Sequence, residues 1–199
     1  MAMNGYNFTE RVRKVLSMAR ETAAELRCEY VAPAHIAIAL LEEGQSVAAV
    51  ALRNLGVDIA QLAVRIRSTV EPGKHATGPD LPYTSRAKKC LELSMATARE
   101  LNHTYVGCEH LLLGILRLGN SAGAVKEFAD AGVTYDNALE QILMLLGTER
   151  PPEPIAPRPR RVPVGVQSVT LVIDYGLPGV SAFKFPNPQE AARFLQSLD

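Results

Sequence analysis

Tyr105-Val106-Gly107-Cys108-Glu109-His110-Leu111-Leu112-Leu113-Gly114-Ile115-Leu116 has a counterpart 75 positions earlier, Tyr30-Val31-Ala32-Pro33-Ala34-His35-Ile36-Ala37-Ile38-Ala39-Leu40-Leu41. Both stretches run from an aromatic residue and a valine through a helix start and a histidine into an apolar run. One unit written twice is the simplest reading, and a repeat decides the fold class before any single element does. The pairing extends outward: Lys14 with Lys89, Thr22 with Thr97, Leu26 with Leu101, Gly44 with Gly119, Ser46 with Ser121. One extra residue enters the second copy after Val125, so Gly56-Val57 match Gly132-Val133.

Working outward, each copy spells four helices. In the first, Thr9 caps a helix running to about Leu26, Pro33 opens one that Gly44 closes, Ser46 caps a third and Asp58 a fourth, which Pro72 and Gly73 end. In the second, Thr84, Gly107, Ser121 and then Thr134 or Asp136 start the helices, and Gly119, Gly132 and Gly147 close the last three. The expectation is a mainly α domain over residues 6–147, made of two tandem four-helix repeats (about 9–70 and 84–146) with pseudo-twofold symmetry. Each copy can bury the apolar faces that the other leaves exposed.

The composition changes at Thr148. Six prolines interleaved with Arg158, Arg160 and Arg161 spell a semi-rigid spacer over 148–165. Beyond it, Val169, Leu171, Ile173 and Tyr175 alternate, Gly176-Leu177-Pro178-Gly179 turns the chain, and Val180 to Phe185 returns. Asn187, Pro188 and Glu190 then start a last helix. Such a ββα tail, 166–199, is too short to bury much alone, so it is expected to dock or to make a homodimer through a strand edge.

Composition narrows the function classes. Hydrophobic residues make up 47% and 21 basic side chains balance 21 acidic ones, so the chain is globular and has no general attraction for nucleic acid or anionic membrane. Cys28, Cys90 and Cys108 are odd in number and lack disulfide or zinc spacing, which points to a reduced, cytoplasmic setting. The longest apolar run, 31–41, contains Pro33 and His35 and falls short of the roughly 18 residues of a membrane span. The start of the chain lacks the apolar segment of a secretion signal.

Phe8-Thr9-Glu10-Arg11, Tyr83-Thr84-Ser85-Arg86-Ala87-Lys88-Lys89 and Tyr105 to Gly114 together resemble the N-terminal domain of Clp unfoldase chaperones, especially the ClpC type. The resemblance covers residues 6–147 and implies the double Clp-repeat fold. It also implies a place at the rim of an ATP-driven hexamer, receiving substrate or adaptor proteins for unfolding and degradation, with a Clp ATPase as partner. No Gly-x-x-x-x-Gly-Lys-Ser/Thr phosphate loop occurs in these residues. The expectation is therefore a non-enzymatic stand-alone binding module without cofactor or metal, an adaptor or modulator of Clp-dependent protein quality control, with an independent scaffold or sensor that reads peptides or phosphoarginine and oligomerises through its C-terminal tail as the alternative.

Some ClpC-type domains bind phosphorylated arginine, a guanidinium joined to a phosphate. Such a ligand needs a carboxylate beside free N–H donors, and a Glu in the first turn of a helix offers both. Glu109, between Cys108 and His110, matches that Glu, while Cys108 stands where the family has Thr. At Pro33-Ala34-His35 the carboxylate is missing and proline lacks an N–H, so this counterpart is expected to be degenerate. The plainer reading of Glu109 is a carboxylate favouring its helix start, worth about 0.3–1 kcal/mol. His35 and His110 recur at one place and suggest a framework hydrogen bond. Adjacent Cys108, Glu109 and His110 diverge by about 100 degrees per residue on a helix and cannot converge as a thiol enzyme's nucleophile and base.

Overall fold

The structure, a computed structural model, describes residues 7–74, 78, 80–119, 123–148, 169–173, 181–185 and 189–191. Its two compact units are Met1–Pro151 and Pro152–Asp199. The chain is mainly α-helical with a small β-hairpin. In the first unit the elements run β1 (Asn7–Phe8), α1 (Glu10–Glu25), α2 (Pro33–Glu43), α3 (Val47–Asn54), α4 (Ile59–Ser68), α5 (Ser85–Glu100), β2 (Tyr105–Val106), α6 (Cys108–Leu116), α7 (Gly123–Asp130) and α8 (Tyr135–Leu146). In the second unit β3 (Val169–Ile173) and β4 (Ser181–Phe185) pair antiparallel, from Val169 opposite Phe185 to Ile173 opposite Ser181. Residues 189–191 are helical. Tyr175, the turn at 176–179, Asn187, Pro188 and Ser121 lie outside the described residues, as does the spacer from 149 onward.

Helix starts follow side-chain chemistry. Thr9 Oγ1 accepts from the Val12 N–H at 3.3 Å and Thr84 Oγ1 from the Ala87 N–H at 3.1 Å. Ser46, Asp58 and Thr134 cap α3, α4 and α8 in the same manner, each satisfying an N–H that the helix itself leaves unpaired. Gly44 and Gly147 end α2 and α8 with positive φ, +66° and +64°, a conformation that other residues adopt at a cost. Helix α6 stops earlier than expected. Arg117 forms its C-cap and Gly119 follows two residues on.

Helices α2 and α6 are apolar on nearly every face, and this fixes their place. All nine residues of α6 are buried, as are Pro33 and the run His35 to Leu41 in α2. A helix without a polar face belongs inside a bundle. Helix α1 packs on α2 and α5 on α6, while α4 and α8 close over α2 and α3 respectively. Each fully buried Ile36, Leu112 or Phe128 in this core contributes about 1.5–3 kcal/mol from removal of apolar surface from water.

Two short parallel pairings cross the bundle. Phe8 lies opposite Val106 in the β1–β2 ladder, and Val31 forms a bridge with Tyr83. The Thr9 N–H donates to Val106 O at 3.1 Å and the Thr84 N–H to Val31 O at 3.0 Å. The segment entering α1 is thus tied to the one entering α6, and the segment entering α5 to the one entering α2. Among the described residues no single helix is long and apolar enough to cross a membrane. Helices α2 and α3 pass that test only together, and they meet at 84°.

Candidate functional site

The start of α6 is held by a histidine ring. The Gly107 N–H donates to His110 Nδ1 at 2.9 Å, so the imidazole takes the part that Glu or Gln plays in a capping box. With Nδ1 accepting, the proton of the neutral ring sits on Nε2, which lies 2.8 Å from His103 Nδ1 and donates to it. Burial first, and His103 second, lower the His110 pKa from 6.5 to about 4, so the ring is neutral at pH 7. At α2 the Ala32 N–H donates to His35 Nδ1 at 2.9 Å, and burial with the nearby Arg67 charge lowers that pKa to about 4 as well. Cys28 stands 75 positions before His103, and His35 Nε2 is buried without a hydrogen-bond partner.

Glu109 is only 5% exposed, and its carboxylate folds back over Gly107. A Cβ at position 107 would run into Glu109 Oε1, so with any other residue there the carboxylate would have to shift; the glycine itself has an ordinary φ of −96°. Where residue 34 is Ala, residue 32 can be Ala too. Among the described residues, the one basic side chain within ion-pair distance of Glu109 is His110, at 3.4 Å from Oε1, and that ring is neutral. Burial accordingly raises the Glu109 pKa, although a hydrogen bond from its own backbone N–H opposes the shift.

The carboxylate borders a cavity of about 320 Å³. Tyr105, Gly107 and Cys108 line it from the start of α6, Thr9 and Arg11 from the start of α1, and Gln45 to Val47 from the start of α3. Leu146, at the end of α8, completes the wall. Arg11 Nη1 donates to Glu43 Oε1 at 2.9 Å while its side chain stays 46% exposed. The cavity therefore combines an acceptor for a cation with an arginine and helix N-termini suited to an anion. Cys108 is buried, and its thiol, hydrogen-bonded with Ser46, has a pKa pushed up to about 12 by burial and then by Glu43 and Glu109. It forms wall and offers neither thiolate nor hydroxyl.

His103, Glu109 and His110 bring three ligand-type atoms within 4.8 Å of one another. Their hydrogen bonds speak against a metal. The Gly107 N–H occupies His110 Nδ1, so the remaining nitrogen carries the proton and faces His103. At the start of α2, Ala32, Pro33 and Ala34 also border a cavity, of about 310 Å³, with Thr69, Val70, Thr84, Arg86, Gly123 and Ala124 on its walls, while His35 does not line it.

The sequence pointed to Cys108, Glu109 and His110. The structure brings Glu109 to the cavity, sets Cys108 in its wall, and turns His110 inward as a cap. Thr9, Arg11 and Tyr105 were missed as wall residues. A signal existed, because Thr9 and Arg11 recur as Thr84 and Arg86, and both pairs border equivalent cavities.

Residues 7–130 match the Clp repeat (R) N-terminal domain family. The chain is 40% identical over 141 residues to the chaperone protein ClpB of Oceanobacillus iheyensis, a stretch that covers 71% of this chain and 17% of that protein. Identity and coverage are the same for the negative regulator of genetic competence ClpC/MecB of Bacillus subtilis. The chain thus spans about one sixth of these relatives. Among solved structures, the complex of the ClpV N-domain with a VipB peptide superposes with a TM-score of 0.57 at 17% identity, over 72% of this chain and 90% of that one. The matched segment is the non-catalytic N-terminal domain of the Clp ATPases. By sequence over most of its first unit, and by fold, this chain belongs to the Clp repeat N-terminal domain family.

Proposed function

We propose that the chain is a non-enzymatic polypeptide-docking domain, an adaptor or modulator in Clp-dependent protein quality control in the cytosol. In this reading the cavity at the start of α6 receives an arginine side chain, or its phosphorylated form, from a substrate or adaptor protein. The observation that carries it is Glu109: a buried carboxylate at the edge of a cavity, with no cationic side chain paired to it among the described residues. Burying such a charge costs stability, and a ligand cation would offset that cost. Arg11 and the α6 N-terminus supply the opposite charge for a phosphate. The family supports a protein partner, and the peptide bound by the ClpV N-domain shows that this fold can hold one.

The finer architecture belongs to the same proposal. Residues 6–147 form two tandem four-helix repeats, about 9–70 and 84–146, related by a pseudo-twofold axis, with 148–165 as linker and 166–199 as the ββα tail. The crossed pairings Phe8–Val106 and Val31–Tyr83 and the twin histidine caps support it. Within the tail, the two-stranded β3–β4 hairpin favours a second reading, a scaffold that makes homodimers through a strand edge.

Fluorescence anisotropy of a labelled phosphoarginine peptide against the full chain tests the site. Glu109→Ala is expected to weaken binding at least about tenfold through loss of a charge-assisted contact, and unchanged affinity rejects it. Capture of a Clp ATPase by the full chain, but not of a second copy of itself, favours the adaptor reading over the scaffold.

A further inference from the structure

Among the described residues Tyr105 is the one aromatic side chain lining the Glu109 cavity, and a backbone pairing and two ring contacts position it. Its backbone is paired with Asn7 in the β1–β2 ladder. Its ring stacks on His103, with centroids 5.3 Å apart and planes within 8°, and meets the His110 ring edge-on at 5.7 Å. His103 in turn is held by the Nε2–H of His110. So the imidazole chain that caps α6 also fixes the tyrosine, which lines the cavity and stays 37% exposed as a residue. The two groups sense each other: after desolvation, the Glu109 charge is the second cause that raises the Tyr105 pKa.

We propose that Tyr105 is the specificity-determining residue of this site, selecting a planar guanidinium over a lysine ammonium by offering its ring face beside the Glu109 carboxylate. The inference rests on the docking function proposed above and deepens it. A guanidinium is flat, delocalised and weakly hydrated, so it can stack on an aromatic face while its N–H edge reaches a carboxylate. An ammonium is a compact, strongly hydrated charge and gives up more water to enter a half-buried aromatic wall. The other copy lacks the device. Tyr30 is 52% exposed, Cys28 replaces the stacking imidazole, and Ala34 replaces the carboxylate.

Three labelled peptides of one sequence, carrying arginine, phosphoarginine or lysine at a single position, distinguish the outcomes when titrated into the full chain and into Tyr105→Leu, Tyr105→Phe and Glu109→Gln. The native chain is expected to favour arginine, free or phosphorylated, over lysine by about tenfold. Tyr105→Leu brings that ratio to about twofold or less, whereas Tyr105→Phe keeps it, because the ring survives. Circular dichroism and melting temperature confirm that each variant is folded, with Tyr105→Phe as the conservative control should leucine disturb the stack. An arginine-to-lysine ratio that is the same in the native chain and in Tyr105→Leu, with binding still lost in Glu109→Gln, overturns the role of Tyr105 alone. Binding indifferent to Glu109→Gln, or absent for all three peptides, overturns the docking site and the selectivity with it. A preference for phosphoarginine over arginine that persists in Tyr105→Leu assigns the phosphate to Arg11 and the helix end, and leaves the Tyr105 assignment supported if the lysine ratio still collapses.

Discussion

The starts of α2 and α6 share a histidine cap and differ in what stands beside it. Ala32-Pro33-Ala34 is compact and uncharged, and its His35 leaves one ring nitrogen unpartnered. Gly107-Cys108-Glu109 carries a carboxylate folded over a residue without a Cβ, and its His110 donates onward to His103 and, through it, fixes Tyr105. The first is the cheaper solution to starting a helix. The second keeps a buried charge and a chain of polar contacts that helix formation alone does not need, as is expected where stability has been exchanged for binding.

Transplanting one solution onto the other is the strongest test of that difference. Ala32→Gly, Pro33→Cys and Ala34→Glu together are expected to raise the stoichiometry of phosphoarginine-peptide binding from one site toward two in calorimetric titration, with affinity at the new site at least about tenfold above that of the native α2 end. Ala34→Glu without Ala32→Gly should gain less, since the Ala32 Cβ displaces the carboxylate from the position that Glu109 holds over Gly107.

Acid should reveal what the two caps have in common. Both histidine pKa values are lowered from 6.5 to about 4 on folding, so as pH falls the unfolded chain takes up the protons first. The stability they represent is complete above about pH 6.5 and is lost between there and about pH 4, on the order of 3 kcal/mol for each ring. Glu109, with its pKa raised, acts in the opposite sense and favours the folded state as pH falls. Urea unfolding across this range should show a net loss of stability that flattens in His35→Gln/His110→Gln. A native chain equally stable at pH 7 and pH 4.5 would refute the assignment of neutral rings.

Packing behind the caps sharpens the contrast further. At the α5–α6 contact Gly114 faces Ser94, and a Cβ on Gly114 would meet Ser94 Oγ, Cys90 O at 2.8 Å and Ser94 N at 2.9 Å. The same places in α1 and α2 hold Ala19 and Ala39, both fully buried. Gly114→Ala is expected to cost about 1–3 kcal/mol through overpacking. Adding Ser94→Ala should recover only part, because the backbone atoms of α5 remain in the way; full recovery in denaturant melts would mean that the hydroxyl alone sets the spacing. The smallest effect concerns Glu109→Gln, which removes a buried charge and should stabilise the unliganded chain by about 0.5–1 kcal/mol while weakening peptide binding.

Much of the fold was legible in local chemistry. Thr9, Ser46, Asp58, Thr84 and Thr134 cap where their side chains say they should, and the all-apolar α2 and α6 are the buried helices. The end of α6 was misjudged because Gly119 comes after Arg117, whose guanidinium binds Glu100 at 2.9 Å and whose backbone already caps the helix. Glu109 was singled out by its first-turn place together with the resemblance to the Clp N-terminal domain. Arg11 and Tyr105 were not, since they reach the cavity through long-range strand pairing between β1 and β2, and no local pattern encodes such a meeting.

That pairing also has a consequence for how the protein is made. Asn7 waits for Tyr105, 98 positions further along, before the backbone groups of either strand are satisfied. On a ribosome emitting about 5–20 residues per second, the first helices emerge several seconds before the segment that stitches them down. During this interval the nascent chain is an open half-bundle, and it is there, rather than in the finished molecule, that a chaperone or a protease would find it.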